Sequence, residues 1–228
     1  MSDFSPLAGF CGVARLFPLP NLVFFPHVMQ PLHIFEPRYR QLTADALAGD
    51  RLITMVLPLP GWEADYAGSP ALHGVGAVGK IIAEQKLPDG CYNILLKGLS
   101  RVQIVEEIPH GKLYRKARVE LLAEVPVPTP KTERRYRERL AQKMPHWFKS
   151  QAEVQQQFDK LVESELPLGP LCDIFTFALP IDAEFKQTLL EELEVEERAK
   201  KLLAHLEAHS ETPAGDEQRK FPPEFSAN

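Results

Sequence analysis

The sequence predicts an α+β protein in which a small, closed or partly closed β-barrel precedes a bundle of α-helices. The distribution of residue types along the 228 residues supports that order. Of the 21 prolines, 14 lie at or before position 130, and proline at this density breaks long helices and suits turns and strand edges. Beyond position 130, Glu, Gln, Lys, Leu and Ala dominate, and these residues favour helices.

The barrel is predicted from short apolar segments with strand character. Residues 51–59 (RLITMVLPL) form a β-branched apolar run. Residues 78–108 are predicted to form a hairpin around Pro88-Asp89-Gly90, because proline presets φ and glycine accepts a positive φ in such a turn. In residues 112–122 apolar and polar side chains alternate, as in a half-buried strand. That alternation predicts one buried face: Leu113, Ala117, Val119 and Leu121.

One early helix interrupts the strands. Pro37 suits its first turn, and Gly49 suits the position just past its end. Its apolar side chains recur at helical spacing, which predicts one buried stripe: Tyr39, Leu42, Ala46 and Leu47. We expect Phe24, Phe25 and Phe35, like Tyr39, to belong to the core.

The change in composition predicts the domain organisation. We expect a barrel subdomain over residues 1–125, a stiff proline-rich connector over residues 126–131 (PVPTPK), and a helical subdomain over residues 132–208. Residues 209–228 carry Pro, Gly and charge without periodicity, which predicts a disordered tail.

Four helices are predicted after the connector. Asp182 is the expected N-cap of the last helix. The apolar spacing of that helix slips near ELEVEE (residues 192–197), which allows two helices with a bend. The predicted helices span residues 131–149, 150–165, 168–178 and 182–208.

The stretch GVGAVGKI, residues 74–81, matches G-x-G-x-x-G and all but the last position of the phosphate loop G-x-x-x-x-G-K-[ST]. Either motif requires a helix after the last glycine. About seven residues separate Lys80 from Pro88, which is too short for a crossover helix, and Ile81 stands where a magnesium-binding hydroxyl belongs. Glycine in a strand more often marks a bulge or a close backbone approach. We therefore expect a strand here.

Composition excludes several classes of protein. Hydrophobic residues make up 44% and charged residues 25%, as in globular domains, and no apolar run approaches the roughly 20 residues of a membrane-spanning helix. The first residues lack a signal peptide's pattern. Three well-separated cysteines argue against disulfides or a zinc site. These observations predict a cytoplasmic protein without membrane contact.

No motif in the sequence supports catalysis. There is no G-x-S-x-G, and no serine or cysteine has an activating sequence context. His205 and His209 lie four positions apart on the last predicted helix, but Leu206 replaces the glutamate of H-E-x-x-H and no third ligand is evident. Two solvated histidines are the favoured interpretation. We expect no catalytic residue, no metal and no cofactor.

Two groups of residues are candidates for binding. Trp62 and Tyr66 lie in the loop-like segment PGWEADYAGSP, and exposed aromatic side chains are enriched in recognition sites; burial against the barrel is an equal alternative. Residues 131–150 carry seven basic and two acidic residues, whereas residues 151–228 carry seven basic and 17 acidic residues. An intramolecular ion-pair seam or a solvated face is therefore favoured over a nucleic-acid site. The basic candidates are Arg134, Arg135, Arg137 and Arg139.

Four segments carry a resemblance to a known family. Residues 16–42 (LFPLPNLVFFPHVMQPLHIFEPRYRQL) resemble the opening of the Lon protease N-terminal domain, with its L-F-P-L strand and I-F-E-P-R-Y helix entry. Residues 75–90 are similar to that family's G-T-x-A-x-I strand, with Ala77 and Gly79 as departures. Residues 97–104 resemble its G-x-x-R strand, and residues 178–203 its helical segment.

The resemblance implies a PUA-like β-barrel followed by a helical bundle. It also implies a non-catalytic polypeptide-binding module that engages unfolded clients or a partner protein. Without the ATPase and peptidase modules of full-length Lon, we expect a stand-alone substrate-binding domain. RNA binding through residues 131–149 is the alternative, since PUA-like barrels elsewhere bind RNA. A nucleotide enzyme that uses residues 74–81 is the third possibility.

Overall fold

The computed structural model describes residues 7, 10–65, 68–147, 152–209 and 226–227. The chain divides into two compact units. The first unit is built on the chain up to Leu122 and also contains the segment that begins at Pro223; the second unit runs from Ala123 to Pro222.

In its described residues the first unit is a β-sheet with one α-helix, α1 (Pro37–Leu47). Its sheet order is β4-β3-β1-β6-β5-β2-β7, and β4 also pairs with β5, which closes five strands into a barrel. β1 and β3 are parallel, while β4 and β5 form the long antiparallel hairpin that the sequence predicts. The strands are β1 (Val13–Pro18), β2 (Met29–Ile34), β3 (Leu52–Val56), β4 (Val75–Lys86), β5 (Tyr92–Glu107), β6 (Arg115–Leu122) and β7 (Ser226–Ala227).

The glycine stretch lies in strand β4, as predicted. A Cβ atom on Gly76 would lie 2.5 Å from the carbonyl oxygen of Met55, and one on Gly79 would lie 2.8 Å from both Leu96 Cγ and Phe24 Cε1. These glycines let neighbouring strands and core side chains approach β4 closely. Close packing therefore explains these two glycines without a bound phosphate group.

The predicted buried face of residues 112–122 is only half right. Ala117 and Val119 are buried, but Leu113 is 64% exposed and Leu121 is 47% exposed. Leu113 precedes β6, so the alternation of that strand does not reach it. β6 pairs with β1 only from Arg115 to Arg118, and at Leu121 it therefore has one neighbouring strand instead of two.

The early helix α1 has the predicted form. Pro37 lies in its first turn, and Tyr39, Leu42 and Ala46 are buried. Phe24 and Phe25 are buried as expected. Phe35 is 39% exposed, so its assignment to the core was wrong. It follows the last residue of β2 and precedes α1, outside the pattern of either element.

The second unit is helical. Thr129 caps α2 (Pro130–Lys143) by accepting a hydrogen bond at Oγ1 from the Thr132 N–H. Asp182 caps α5 (Ala183–Glu191) by accepting a hydrogen bond from the Phe185 N–H, and this cap is the predicted one. The predicted helix over residues 182–208 is two helices. The predicted helix over residues 131–149 ends at Lys143, before a 3₁₀ turn that contains Pro145. The helices are α2 (Pro130–Lys143), α3 (Ala152–Glu163), α4 (Leu168–Ala178), α5 (Ala183–Glu191) and α6 (Val195–Ala208).

Among the described residues, no helix is both long and apolar enough to cross a membrane. The predicted disordered tail, residues 209–228, lies outside the described residues except for His209 and the short strand β7, which pairs in parallel with β2.

Candidate functional site

The loop between β3 and β4 carries Trp62. Pro58 and Leu72 form a bridge, and the Leu59 N–H donates to the carbonyl oxygen of Ala71 across 2.8 Å, so the two sides of the loop are paired. Trp62 begins a 3₁₀ turn that ends at Asp65, and its side chain is half-buried. The structure therefore places Trp62 between the two predicted alternatives, exposure and burial. Tyr66 lies outside the described residues.

The far side of this loop is held by polar contacts. The Gly68 N–H donates to the carbonyl oxygen of Asp65 across 2.9 Å, and the Ser69 N–H donates to the Asp65 carboxylate across 3.1 Å. Nη1 of Arg115 donates to the carbonyl oxygen of Pro70 across 2.7 Å. These bonds fix residues 68–70 against the start of β6.

A small cleft opens beside this segment, within the first unit. Its volume is about 60 Å³. The residues that line it belong to the end of β1, the start of α1, the β3–β4 loop and the segment that leads into β6. The side chains that give it an apolar lining are those of Pro18, Tyr39, Pro58, Pro70, Leu113 and Tyr114.

The hydroxyls of the two tyrosines of the cleft are both engaged in hydrogen bonds within the protein. The Tyr39 hydroxyl donates to the carbonyl oxygen of Pro18 across 2.9 Å. The Tyr114 hydroxyl donates to the Asp45 carboxylate across 2.8 Å. Burial, together with that hydrogen bond to a carboxylate, raises the pKa of Tyr114 to about 12, so its hydroxyl remains a donor at neutral pH.

Several large apolar side chains of the first unit are exposed, and most were not singled out from the sequence. Leu113 and Phe35 were both expected in the core. Both residues lie just outside a regular element, and that position could have indicated from the sequence that their side chains are exposed. The exposed set in this unit comprises Val13, Met29, Phe35, Leu59, Ile82, Val105, Leu113 and Leu121.

The four candidate arginines of the second unit lie on α2, and each has an acidic partner. Arg134 Nε lies 2.8 Å from Glu138 Oε1, one turn away, and Arg139 Nη2 lies 3.0 Å from Glu207 Oε1 of α6. Arg135 lies 3.8 Å from Glu196, also on α6. α2 therefore forms ion pairs with α6 through Arg135 and Arg139, as the ion-pair interpretation predicts.

Arg137 differs from the other three arginines because its side chain is only 18% exposed. Its guanidinium donates to the carbonyl oxygens of Val162 and Ser164 across 2.8 and 3.0 Å, and also to that of Leu166. It lies 3.9 Å from Glu133. Arg137 therefore donates to carbonyl oxygens in the last turn of α3 and in the segment after it, and its side chain is mostly shielded from solvent.

His209, just past the end of α6, is exposed as predicted, whereas His205 is half-buried, and the two rings are stacked. The His205 ring lies 4.2 Å from the His209 ring on one side and 4.2 Å from the Phe185 ring on the other. Burial, and secondarily the charge of His209, lowers the pKa of His205. Among the described residues, no group of three or more His, Cys, Asp or Glu side chains is placed to hold a metal ion.

The sequence is similar to known proteins over most of its length. The family model described as the ATP-dependent protease La (LON) substrate-binding domain matches residues 13–208. The Lon protease of Dictyoglomus thermophilum is 27% identical over 198 residues, which are 85% of this chain but 24% of that protein. The chain thus spans about a quarter of the length of this curated relative.

Two solved structures share the fold. The N-terminal domain of the Mycobacterium avium complex Lon protease aligns over 86% of this chain and 99% of its own, with a TM-score of 0.67 and 17% identity. The Lon N-terminal domain protein from Xanthomonas campestris aligns over 84% and 97%, with a TM-score of 0.58 and 20% identity. With the family model covering most of the sequence, these observations lead to one conclusion: the chain belongs to the family of the Lon protease substrate-binding domain.

Proposed function

We propose that this chain is a non-catalytic module that recognises polypeptides, either as unfolded clients or as exposed segments of a partner protein. The observation that carries the proposal is the match of a substrate-binding domain family over residues 13–208. The exposed apolar side chains of the barrel unit support it, because such side chains are what an unfolded chain can contact.

The contact surface that we propose lies around the β3–β4 loop. Trp62 is half-buried there, Leu59 is 38% exposed, and Leu113 lines the cleft beside the loop. We keep Trp62 and Tyr66 as proposed contacts, since aromatic side chains contribute large contact areas at low entropic cost. We place the module in the cytoplasm, a proposal that three free cysteines support.

Nucleic-acid binding through α2 is the weaker proposal. Arg134, Arg135 and Arg139 each have an acidic partner, and Arg137 is bound to backbone carbonyls. A phosphate backbone would have to compete with these contacts. The sign of such binding would be an affinity that falls steeply as salt rises.

A titration followed by fluorescence anisotropy tests the proposal. The probe is a labelled protein kept unfolded by reduction and alkylation, and structured RNA is the competitor. We expect saturable binding that RNA does not displace. Trp62→Ala should raise the Kd about fivefold or more, whereas Trp147→Ala, which removes the half-buried tryptophan of the second unit, should leave it unchanged.

Each other result has a definite meaning. If the unfolded protein does not bind, recognition of unfolded clients is wrong. If RNA displaces it and the affinity falls steeply with salt, the nucleic-acid alternative takes precedence. Equal losses for the two tryptophan variants would remove the β3–β4 loop from the contact surface.

A further inference from the structure

We infer that the cleft in the first unit is a pocket for one small aliphatic side chain, about the size of valine, of an extended polypeptide. This inference rests on the proposed function and deepens it, because it names the chemistry that the module would select. Its support comes from the size of the cleft, the chemistry of its walls, the charges at its rim and its rigidity.

The size of the cleft limits its occupant. A volume of about 60 Å³ is less than half that of an engineered cavity of roughly 150 Å³ that binds benzene. A short branched side chain fits such a space, whereas an aromatic ring does not. The occupant is therefore a single small side chain, and the rest of the polypeptide lies outside the cleft.

The walls of the cleft favour an apolar occupant. Pro18, Pro58 and Pro70 contribute ring carbons. Tyr39 and Tyr114 are 2% and 4% exposed, and their hydroxyls are already bonded to Pro18 and Asp45. Their ring surfaces, not their hydroxyls, are what an entering group meets, so a polar group would lose its hydration without finding a partner.

The rim carries two arginines, and both are paired within the protein. Arg38 Nε lies 2.9 Å from Glu36 Oε2, and the Arg38 guanidinium also lies 4.7 Å from the centre of the Tyr39 ring. Arg115 forms an ion pair with Glu107. An anionic side chain would have to displace these carboxylates, and a cationic one would face the arginines. The paired rim thus selects an uncharged side chain.

The cleft is held in place before a ligand arrives. Arg115 fixes the loop through its bond to the Pro70 carbonyl oxygen. The Leu113 N–H donates to Gln41 Oε1 of α1 across 2.7 Å, although the Leu113 side chain is 64% exposed. A fixed backbone with an exposed leucine at the rim gives contact area without the cost of ordering that backbone.

The first test uses N-acetylvaline N-methylamide as the probe and the full ¹⁵N-labelled chain. We expect saturable amide shifts at Gly68, Ser69 and Leu113, and a Kd about tenfold lower than that of the aspartate analogue. The phenylalanine analogue should also bind more weakly than the valine analogue. Equal binding of the analogues, or no shifts at these amides, would overturn the inference.

The second test compares two exposed leucines. Leu113→Glu should weaken binding of the valine analogue about tenfold, because it places an anion at the apolar rim. Leu121→Glu, a control with 47% exposure outside the cleft, should bind like the wild type. If Leu113→Glu binds the valine analogue normally, the cleft is not the site.

The outcomes separate this inference from the proposed function. Failure of the pocket appears as loss of the valine-specific amide shifts while the unfolded protein still binds. Failure of the unfolded-client form of the proposed function appears as no binding of the unfolded protein to the wild-type chain, whatever the analogues do.

Discussion

Arg198 of α6 donates a hydrogen bond to Asp173 of α4 across 3.0 Å, and both side chains are fully buried. The same guanidinium lies 2.6 Å from Glu124 Oε1 and donates twice to the backbone carbonyl oxygen of Glu192, across 3.1 and 2.7 Å. Burial of a charge is costly unless it is paired and hydrogen-bonded. Arg198 is paired with carboxylates and is also hydrogen-bonded to a backbone carbonyl oxygen. It links Glu124, near the start of the second unit, to α4 and to the segment before α6.

Removal of this cation should strongly destabilise the helical unit. Arg198→Met leaves the carboxylate of Asp173 buried without its cationic partner, and we expect the free energy of unfolding to fall by about 3–5 kcal/mol. Urea denaturation followed by circular dichroism measures it. Lys200→Met on the same helix is the control, because Lys200 is 45% exposed and a surface ion pair contributes about 0–1 kcal/mol. Equal losses for the two variants would contradict this account of Arg198.

Gly79 should not tolerate a methyl group. A Cβ atom there would lie 2.8 Å from Leu96 Cγ and Phe24 Cε1 and 3.0 Å from the carbonyl oxygen of Lys97. Gly79→Ala should therefore lower the free energy of unfolding by about 1–3 kcal/mol through overpacking. A Cβ atom on Gly111 meets nothing within 4 Å, so Gly111→Ala should change stability by about 0.5 kcal/mol or less. Parallel urea titrations of the two variants measure the difference.

The strand assignment of residues 74–81 also predicts how the protein responds to nucleotides. A ligand that binds only the native state raises its melting temperature. Neither ATP nor NAD at millimolar concentration should therefore change the melting temperature in a thermal scan. An increase with either nucleotide would revive the enzyme interpretation of the glycine motif.

Sequence reasoning identified the elements whose signals are local. Asp182 is an N-cap, residues 88–90 are a turn, and Gly79 lies in a strand, because each depends on residues a few positions away. Leu121 was misassigned because its burial depends on how far β1 extends along β6, a fact about strand register that alternation does not contain.

Less of the candidate site could be predicted from the sequence. Trp62 was identified as an aromatic residue in a loop, but the cleft beside that loop, which Trp62 does not line, is assembled from segments around residues 18, 39, 58, 70 and 114. No spacing in the sequence reports that these segments meet. The buried pair of Arg198 and Asp173 is hidden for the same reason, since 25 positions separate its partners.

Tyr114 should control the titration of Asp45. Burial raises the pKa of Asp45, but hydrogen bonds from Tyr114 and Lys112 outweigh it, so the net pKa lies below 3.8. Tyr114→Phe should raise that pKa and lower the free energy of unfolding by about 1.5 kcal/mol at neutral pH. Because the pKa is depressed in the folded state, the contribution of Asp45 is present above pH 3.8 and is lost as the pH falls.

An NMR titration of the Asp45 carboxyl carbon, with urea denaturation, measures both effects of Tyr114→Phe. Tyr92→Phe is the matched control, because the hydroxyl of buried Tyr92 makes no hydrogen bond to the residues that the structure describes. An unchanged Asp45 pKa in Tyr114→Phe would show that Lys112, 3.2 Å away, suffices to depress it.

His205 should make the stability of the helical unit depend on pH below 6.5. Burial first, and then the charge of His209, lowers its pKa below 6.5, while Asp182 acts in the opposite direction. Between the lowered pKa and 6.5 the unfolded chain binds more protons than the folded chain, so the free energy of unfolding falls as the pH drops through this range.

The carboxyl groups with lowered pKa values titrate in a lower range of pH, since their ordinary values are 3.8 for Asp45 and 4.5 for Glu192. A loss of stability below pH 6.5 can therefore be assigned to a histidine with a lowered pKa, either His205 or His110 of the first unit. We expect His205→Phe, which keeps a ring against Phe185, to remove much of the difference in urea stability between pH 7.5 and pH 5.5. The His205 Cε1 proton should titrate below 6.5 in the wild type. If it titrates at 6.5 or above, or if His205→Phe keeps the full pH dependence, the stack of His205 between Phe185 and His209 does not control the stability of the unit.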